Sequence, residues 1–553
     1  MLAATGLALA VRLYLLSRPG YLTGITEYDD GVYLGGAASL VSGIAPYHGF
    51  AFVQPPGILL LMTPVALLAK VSAVTTAMAV ARLLTAGAAV ACVPLLGSLV
   101  RHRGVLATLV AGGVLAVYPD DIMAAHTLLL EPWMNLLVLA GARLAFRDGQ
   151  PATTRRLGWA GAAFGLAAAV KYWAALPALT LLAACLLSGP AGGRDGRRRD
   201  GRVRFDGPVR LGGAVRFSSG LLAGFAVPVV PFAAPGPGLF IRSTLLDQVT
   251  RAGSAVPEPL RLAHLTGLAG LLNDAGQLTL AGNAGSLFAR GDVTAAATWA
   301  TRSLPVLLTV ALAALLGLGY AAGYVRARRA AAASGGAATA QAAPGGPGPL
   351  EWYALGTLAC TLAAVLGYSA FFYHYADFAA PWLAVVAGYA AAAGCLRLGR
   401  RRWLAAIAAM LVAVAGVEAW ELSGLRAPGV SASAALIPPG ACVVSDEIAL
   451  AIAANRFTAG SPGCPDVLDS LAVTLVAGRG VSVQGGAKAL PRVAAEWRAV
   501  FSRADYVWLS GSSARRVPWT PALRRWFAGS FRPLRLPRGS FAEGRVYVRR
   551  GRS

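Results

Sequence analysis

Negative charge is scarce in this chain. Its 553 residues carry 25 Asp and Glu against 49 Lys and Arg, and charged residues make up only 13% of the sequence. So thin a polar complement, beside 56% hydrophobic residues and a mean hydropathy of +0.59, excludes a disordered chain and an ordinary soluble one. Cysteine is rare too, with 6 in all. There is no CxxC pair and no His/Cys cluster, so nothing suggests structural zinc. No internal repeat is visible. No small-residue cleavage site follows the apolar stretch Met1–Leu16, so that stretch reads as a first span and not as a removable signal.

What the chain has in abundance is apolar runs of spanning length, which make it a polytopic membrane protein. The net charge of +24 would suit a nucleic-acid partner only if the basic residues formed one face. Instead they sit in short runs between apolar segments: Arg101 and Arg103, Arg147 with Arg155 and Arg156, Arg194 to Arg204, Arg326 to Arg329, and Arg397 to Arg402. Cytoplasmic loops have this look under the positive-inside rule. The excess of Arg over Lys, with abundant Ala and Gly, reads as GC-rich coding and carries no mechanism.

Holding the basic runs inside predicts about 11 transmembrane helices, at roughly 2–17, 78–100, 105–125, 132–146, 157–170, 172–189, 217–235, 303–324, 352–371, 378–396 and 403–420. Gly57 to Ala69 is apolar but only 13 residues long, and a crossing there would invert every later loop. It is therefore expected to lie along the interface. The same parity makes 157–189 a hairpin with Lys171 at its outer tip. The membrane domain then covers 1–420, with extracytoplasmic loops at 17–77 and 236–302, a basic cytoplasmic loop at 190–216 and a low-complexity stretch at 330–349. Residues 421–553 change to short strand-like runs (CVVSD, YVWLS, RVYVRR) between helical patches, which predicts a small extracytoplasmic α/β domain. Cys92, Cys185, Cys360 and Cys395 fall in apolar spans, whereas Cys442 and Cys464 are the pair that an oxidising compartment would join.

This topology gathers the polar residues on the outer side. Glu27, Asp29, Asp30, Asp120, Asp121, His126, Glu131, Lys171 and the Tyr368–Asp377 turn all face that way. The densest cluster is the loop ITEYDDGVYLGGAASLVSGIAPYHGFAFVQPPG, in which three carboxylates stand at a membrane boundary, where charge is costly. Its order of parts is an acidic pair, an aromatic, a short helix, Gly43-x-x-Pro46-Tyr47, then Pro55-Pro56-Gly57. It resembles the first extracytoplasmic loop of GT-C glycosyltransferases, a superfamily that includes protein O-mannosyltransferases and the aminoarabinose transferase of lipid A. The plain alternative is an acidic cap on an interfacial helix.

The resemblance implies a membrane glycosyltransferase that takes a sugar from a polyprenyl-phosphate donor and inverts the sugar carbon. Such chemistry needs a base for the acceptor hydroxyl and cations for the leaving phosphate. Asp29 is the expected base. The family pattern is Asp-Glu, and here the second acid is Asp30, so Asp30 and, less favoured, Glu27 stay open. Glu131, opening EPWMNLLVLAG, is expected to face the same cavity, the alternative being a helix-dipole acid. A divalent cation held by Asp29, Asp30 and Glu131 is also left open.

Donor phosphate is expected at Lys171, in GLAAAVKYW, and at Arg251, four residues after Asp247 and so on the same helical face. Arg242 is a second basic position in that loop. Tyr373 and His374, with Tyr375 and Asp377, resemble a late YHY loop of the family. Gln54 stands where some relatives carry a phosphate-binding Lys, which puts more weight on Lys171 and Arg251. Snorkelling explains a lone Lys equally well, and an aromatic belt explains the tyrosines. The partners implied are the donor lipid, a glycan, lipid or protein acceptor, and the bilayer, with no nucleic acid. Two other functions compete, a transporter or flippase for a lipid-linked glycan and a non-catalytic envelope assembly protein. The missing repeat weighs against the first.

Overall fold

The computed structural model describes residues 1–187, 209–249, 258–267, 347–394, 400–479, 486–510, 517–535 and 544–551, with a few single positions between them. Arg251, Cys395 and the expected span 303–324, but for Ala321, lie outside the described residues.

Helices occupy the other expected spans. They are α1 (Leu2–Leu16), α4 (Val74–Val100), α5 (Val105–Ala116) with α6 (Pro119–Ala125), α7 (Glu131–Ala145), α8 (Thr154–Val170), α9 (Ala175–Leu187) and α10 (Val209–Ala233). Pro349–Gly367, Ala380–Gly394 and Arg400–Ser423 follow. Two more, α2 (Tyr28–Val41) and α3 (Gly57–Val71), lie in the first loop. By length and composition, three stretches among the described residues suffice to cross a membrane: Val74–Arg103, Gly212–Ala233 and Pro349–Gly367. The pair α5 and α6 makes a fourth if it is one span, bent by 55°. The bend has a local cause: Pro119 disfavours helix at Tyr118, which adopts φ −72° and ψ 117°.

Glycines set the closest helix contact. Gly161 and Gly165 of α8 face Gly220 and Gly224 of α10, and a Cβ at any of them would strike the opposing backbone. Small residues at four-residue spacing let helix backbones approach in lipid, where hydrophobic burial gives little drive. At its end α8 stops at Lys171, which is extended (φ −153°, ψ 131°) before the turn Tyr172–Ala174 leads into α9. Lys171 is thus the break between two helices. In the first loop, α3 begins where Gly57 seats against the backbone of Ala169 and Val170.

The C-terminal region carries a four-stranded sheet. Val443–Ser445 pairs in parallel with Tyr506–Leu509, which pairs antiparallel with Arg545–Arg549, itself antiparallel to Phe531–Pro533. Alternate strand residues serve different cores, as the pleat requires. Val444 and Val507 pack with Trp497, Phe501, Phe527 and Phe531, whereas Trp508 and Val546 join the large core that contains Leu34 of α2. The unit is therefore docked on the first loop. A Cβ at Gly31 would lie 2.6 Å from the backbone nitrogen of Ala449, so helix Ile448–Ala453 rests directly on α2.

Cys442 and Cys464 form a disulfide, with Cα atoms 5.5 Å apart across a separation of 22 residues. Replacing both by Ser is expected to lower the stability of this unit by about 3 kcal/mol, through the released loop entropy. Thermal unfolding of the oxidised protein with and without the double substitution checks this. Free labelling of both thiols in the folded wild type would contradict it.

Candidate active site

Helix α2 begins with three carboxylates whose environments differ sharply. Glu27 is the N-cap, and its Oε1 accepts the Tyr28 N–H at 3.0 Å, satisfying a free donor of the first turn. Its Oε2 accepts from the Tyr373 hydroxyl at 3.3 Å. Burial pushes the Glu27 carboxyl up to about 7, and Asp29 adds to the rise, while His374 and the Tyr28 N–H oppose it.

Asp29 is half-buried and lines a small cavity with Tyr28, Tyr33, Phe52, Gln54 and Asp469. The Tyr33 hydroxyl donates to its Oδ2 at 3.4 Å. Asp469 comes from the C-terminal unit: its Oδ1 accepts the Tyr28 hydroxyl at 2.9 Å, and the Ser470 N–H donates to that hydroxyl at 2.8 Å. The C-terminal unit thus supplies one wall of the Asp29 cavity and fixes its neighbour Tyr28.

Asp30, expected beside Asp29 at the chemistry, is fully buried and committed elsewhere. Its Oδ2 accepts from Arg82 at 2.5 Å, from Thr127 at 2.6 Å and from Thr26 at 3.4 Å. Arg82, in α4, also donates to the carbonyls of Tyr21 and Gly24, each at 2.8 Å. The pair ties α2, α4 and the segment before α7 together.

The remaining expected residues meet around Glu131. Pro132 follows it at the start of α7, where its missing N–H costs nothing. One oxygen of Glu131, Oε1, accepts from both Lys171 and His374, the latter at 2.8 Å. The Lys171 ammonium lies 4.3 Å from the centre of the Tyr375 ring, a cation–π contact. His374 belongs to the 3-10 turn Tyr373–Phe378. Through Tyr373 this turn reaches Glu27, so segments around 27, 131, 171 and 374 form one connected polar network.

Other acids have their own partners. Asp121 pairs with Arg12 of α1, Asp120 accepts from His264 at 2.9 Å, and His126 bonds the Met123 carbonyl and packs against Tyr21. Asp377 is fully buried with no hydrogen bond to either carboxyl oxygen, and burial holds its carboxyl well above the usual range. Arg12, Arg82, Arg261 and His264 are absent from the sequence reading. A single arginine inside an apolar run was the available signal, because such a charge must face inward and pair.

Asp29, Asp30 and Glu131 are not gathered around one point, and one oxygen each of Asp30 and Glu131 is already taken, the other having no hydrogen bond. Arg82 and Thr127 occupy Asp30, Lys171 and His374 occupy Glu131, and among the described residues no three His, Cys, Asp or Glu side chains converge to hold an ion.

No protein-family model matches the sequence, and a comparison with curated proteins yields no match. Solved structures do match. ArnT from Cupriavidus metallidurans bound to undecaprenyl phosphate superposes with a TM-score of 0.51 at 12% identity, covering 99% of this chain and 97% of that one. Its apo state gives a TM-score of 0.54 at 14% identity over the same shares. The Archaeoglobus fulgidus oligosaccharyltransferase in complex with Zn and sulfate gives 0.51 at 12% identity, covering 99% of this chain and 73% of that one. At these identities the likeness is one of fold. The chain shares its fold with these structures.

Two outcomes follow from the network. Arg82→Met alone strands the buried Asp30 charge and is expected to cost about 3–5 kcal/mol. The double variant Asp30→Asn with Arg82→Met should cost less than that single change, and a double-mutant cycle in chemical unfolding measures the coupling. Glu27 has a folded pKa above its unfolded value, so its contribution to stability is full below about 4.5 and is lost as the pH rises through about 7. Glu27→Gln should flatten this part of the stability profile, and an unchanged slope would contradict the assignment.

Proposed function

We propose that this protein is a membrane glycosyltransferase that moves a sugar from a polyprenyl-phosphate donor to a hydroxyl acceptor on the extracytoplasmic side. One observation carries the reading. Residues far apart in a GT-C fold, Glu27, Glu131, Lys171, Tyr373 and His374, join in a single network next to the cavity that Asp29 lines. The bound undecaprenyl phosphate of the ArnT structure supports a lipid-phosphate donor. About eleven spans, with the first loop and the C-terminal unit outside, complete the proposed topology.

In the proposed reaction Asp29 takes the proton of the acceptor hydroxyl. Of the three acids it has the fewest commitments, since Asp30 is held by Arg82 and Glu27 by Tyr373 and Tyr28. The acceptor oxygen forms a bond to the anomeric carbon as the carbon–oxygen bond to phosphate breaks. The electron pair leaves on the phosphate, and the sugar carbon is inverted. Lys171 is the cation offered to that phosphate, and His374 is a ring N–H donor beside it. Glu131 holds both on one oxygen, so they are aimed together before a donor arrives, and preorganised charge of this kind stabilises developing negative charge. Arg251 remains a further proposed phosphate contact. Asp30 has a positioning role, fixing the first turn of α2 through Arg82.

Removing a general base typically costs 10²–10⁴-fold in rate. Asp29→Asn is expected to lower sugar transfer by about two decades or more while donor lipid still binds, because the base acts on the transition state. Purified protein, a panel of radiolabelled polyprenyl-phosphate sugars and an envelope acceptor extract supply the assay. Undiminished transfer by Asp29→Asn, with loss in Glu27→Gln, would move the base to Glu27.

A further inference from the structure

The C-terminal sheet has a second feature that the transfer reaction does not use. Its two parallel strands, Val443–Ser445 and Tyr506–Leu509, end side by side, and beyond that end Asp446 accepts from the Ser510 N–H at 2.8 Å and from its hydroxyl at 3.2 Å. Both residues are buried, at 1% and 3% exposure, so the floor of this end is a fixed polar pair. Ligands in α/β sheets settle in the crevice outside the carboxyl ends of strands.

A cavity of about 410 Å³ opens there, lined by Ser510, Trp519, Arg524, Phe527, Arg545 and Tyr547. A second, of about 570 Å³, shares Trp519 and Arg524 with it and adds Lys488. The lining joins flat rings to cations. Trp519 and Tyr547 are half-buried, Arg524 and Arg545 are exposed, and no carboxylate lines either cavity among the described residues. The Arg524 Nε donates to the Trp519 backbone carbonyl at 3.1 Å, tying that guanidinium to the segment that carries the indole. Trp519 itself is braced by Phe501 and Phe527, with ring centres 6.0 and 5.3 Å away. Neither cavity shares a residue with the one that Asp29 lines.

We propose that this cleft is a binding site for an anionic glycan, one whose sugar faces lie on Trp519 and Tyr547 and whose acidic groups meet Arg524, Arg545 and Lys488. Rigid aromatic faces bury the apolar faces of sugar rings at low entropic cost, and guanidinium groups take carboxylates or phosphates in two-point contacts. Single-sign charge among the described residues around concave aromatic walls favours a discrete acidic ligand over a neutral one. The cleft would hold an acidic envelope polymer on the C-terminal unit, whether as acceptor or as anchor. The proposal does not depend on the transferase reading.

The test uses the full-length protein in nanodiscs and calorimetric titration with a hexameric oligogalacturonate as the acidic probe. Maltohexaose, inorganic phosphate and phosphatidylglycerol vesicles are run beside it. The expected result is saturable binding of oligogalacturonate, with at least tenfold weaker binding of maltohexaose. Trp519→Ala and the exposed double variant Arg524→Gln with Arg545→Gln should each weaken the acidic glycan at least tenfold. The arginine pair keeps the test valid if Trp519→Ala fails to fold. Equal binding of the neutral glycan, binding of phosphate or vesicles without the glycan, or full binding by the arginine double variant would each overturn the proposal.

Discussion

The buried ion pair between Asp30 and Arg82 is the constraint on which the site depends. Neither group reaches water: Asp30 is 0% and Arg82 1% exposed. Taking two such charges out of water is repaid only when geometry is good and the remaining donors find acceptors. Here Thr127 and Thr26 share Asp30 Oδ2 with Arg82, and two loop carbonyls accept from the Arg82 terminal nitrogens, while Arg82 Nε and Asp30 Oδ1 stay buried without a hydrogen bond. The pair is also a clamp, because its ligands come from the loop after α1, from α2, from α4 and from the chain before α7. Asp29 is the next residue along α2. Its direction into the cavity is therefore set by a neighbour that is itself turned to Arg82.

A second shared oxygen does similar work one layer away. Glu131 gathers Lys171 and His374 on a single atom, and each of these lies at a break in helix: Lys171 between α8 and α9, His374 in the 3-10 turn before Ala380–Gly394. Buried breaks leave backbone groups that must be satisfied within the protein, and a polar network is one way to do so. Tyr373 then links this layer to Glu27. The C-terminal unit closes the arrangement from the other side through Asp469 and Tyr28, so a domain far away in sequence shapes the first loop.

Much of this was legible in the sequence, for definite reasons. Helices fall where apolar length and the spacing of arginines put them, and the strands at 443–445, 506–509 and 545–549 announced themselves as β-rich runs. Lys171 and His374 stood out because charge and imidazole are rare in apolar surroundings. Which partner each would take was not legible. Asp30 and Arg82 are 52 residues apart, and Arg12 and Asp121 are 109 apart, so only the packed fold brings them together. Two adjacent aspartates look alike in sequence, yet α2 turns one to a cavity and the other to an arginine. The Asp446–Ser510 floor and the cleft beyond it likewise depend on a parallel strand pairing that no local pattern specifies.

The central claim is that the Glu131, Lys171 and His374 cluster receives the phosphate of a polyprenyl donor. Native mass spectrometry of the purified protein addresses it directly, by identifying the lipid that remains bound after extraction. The account predicts a polyprenyl phosphate or its glycosyl form on the wild type, and its loss from Lys171→Ala. A bound population of ordinary phospholipid alone, or a polyprenyl phosphate retained equally by both proteins, would contradict it.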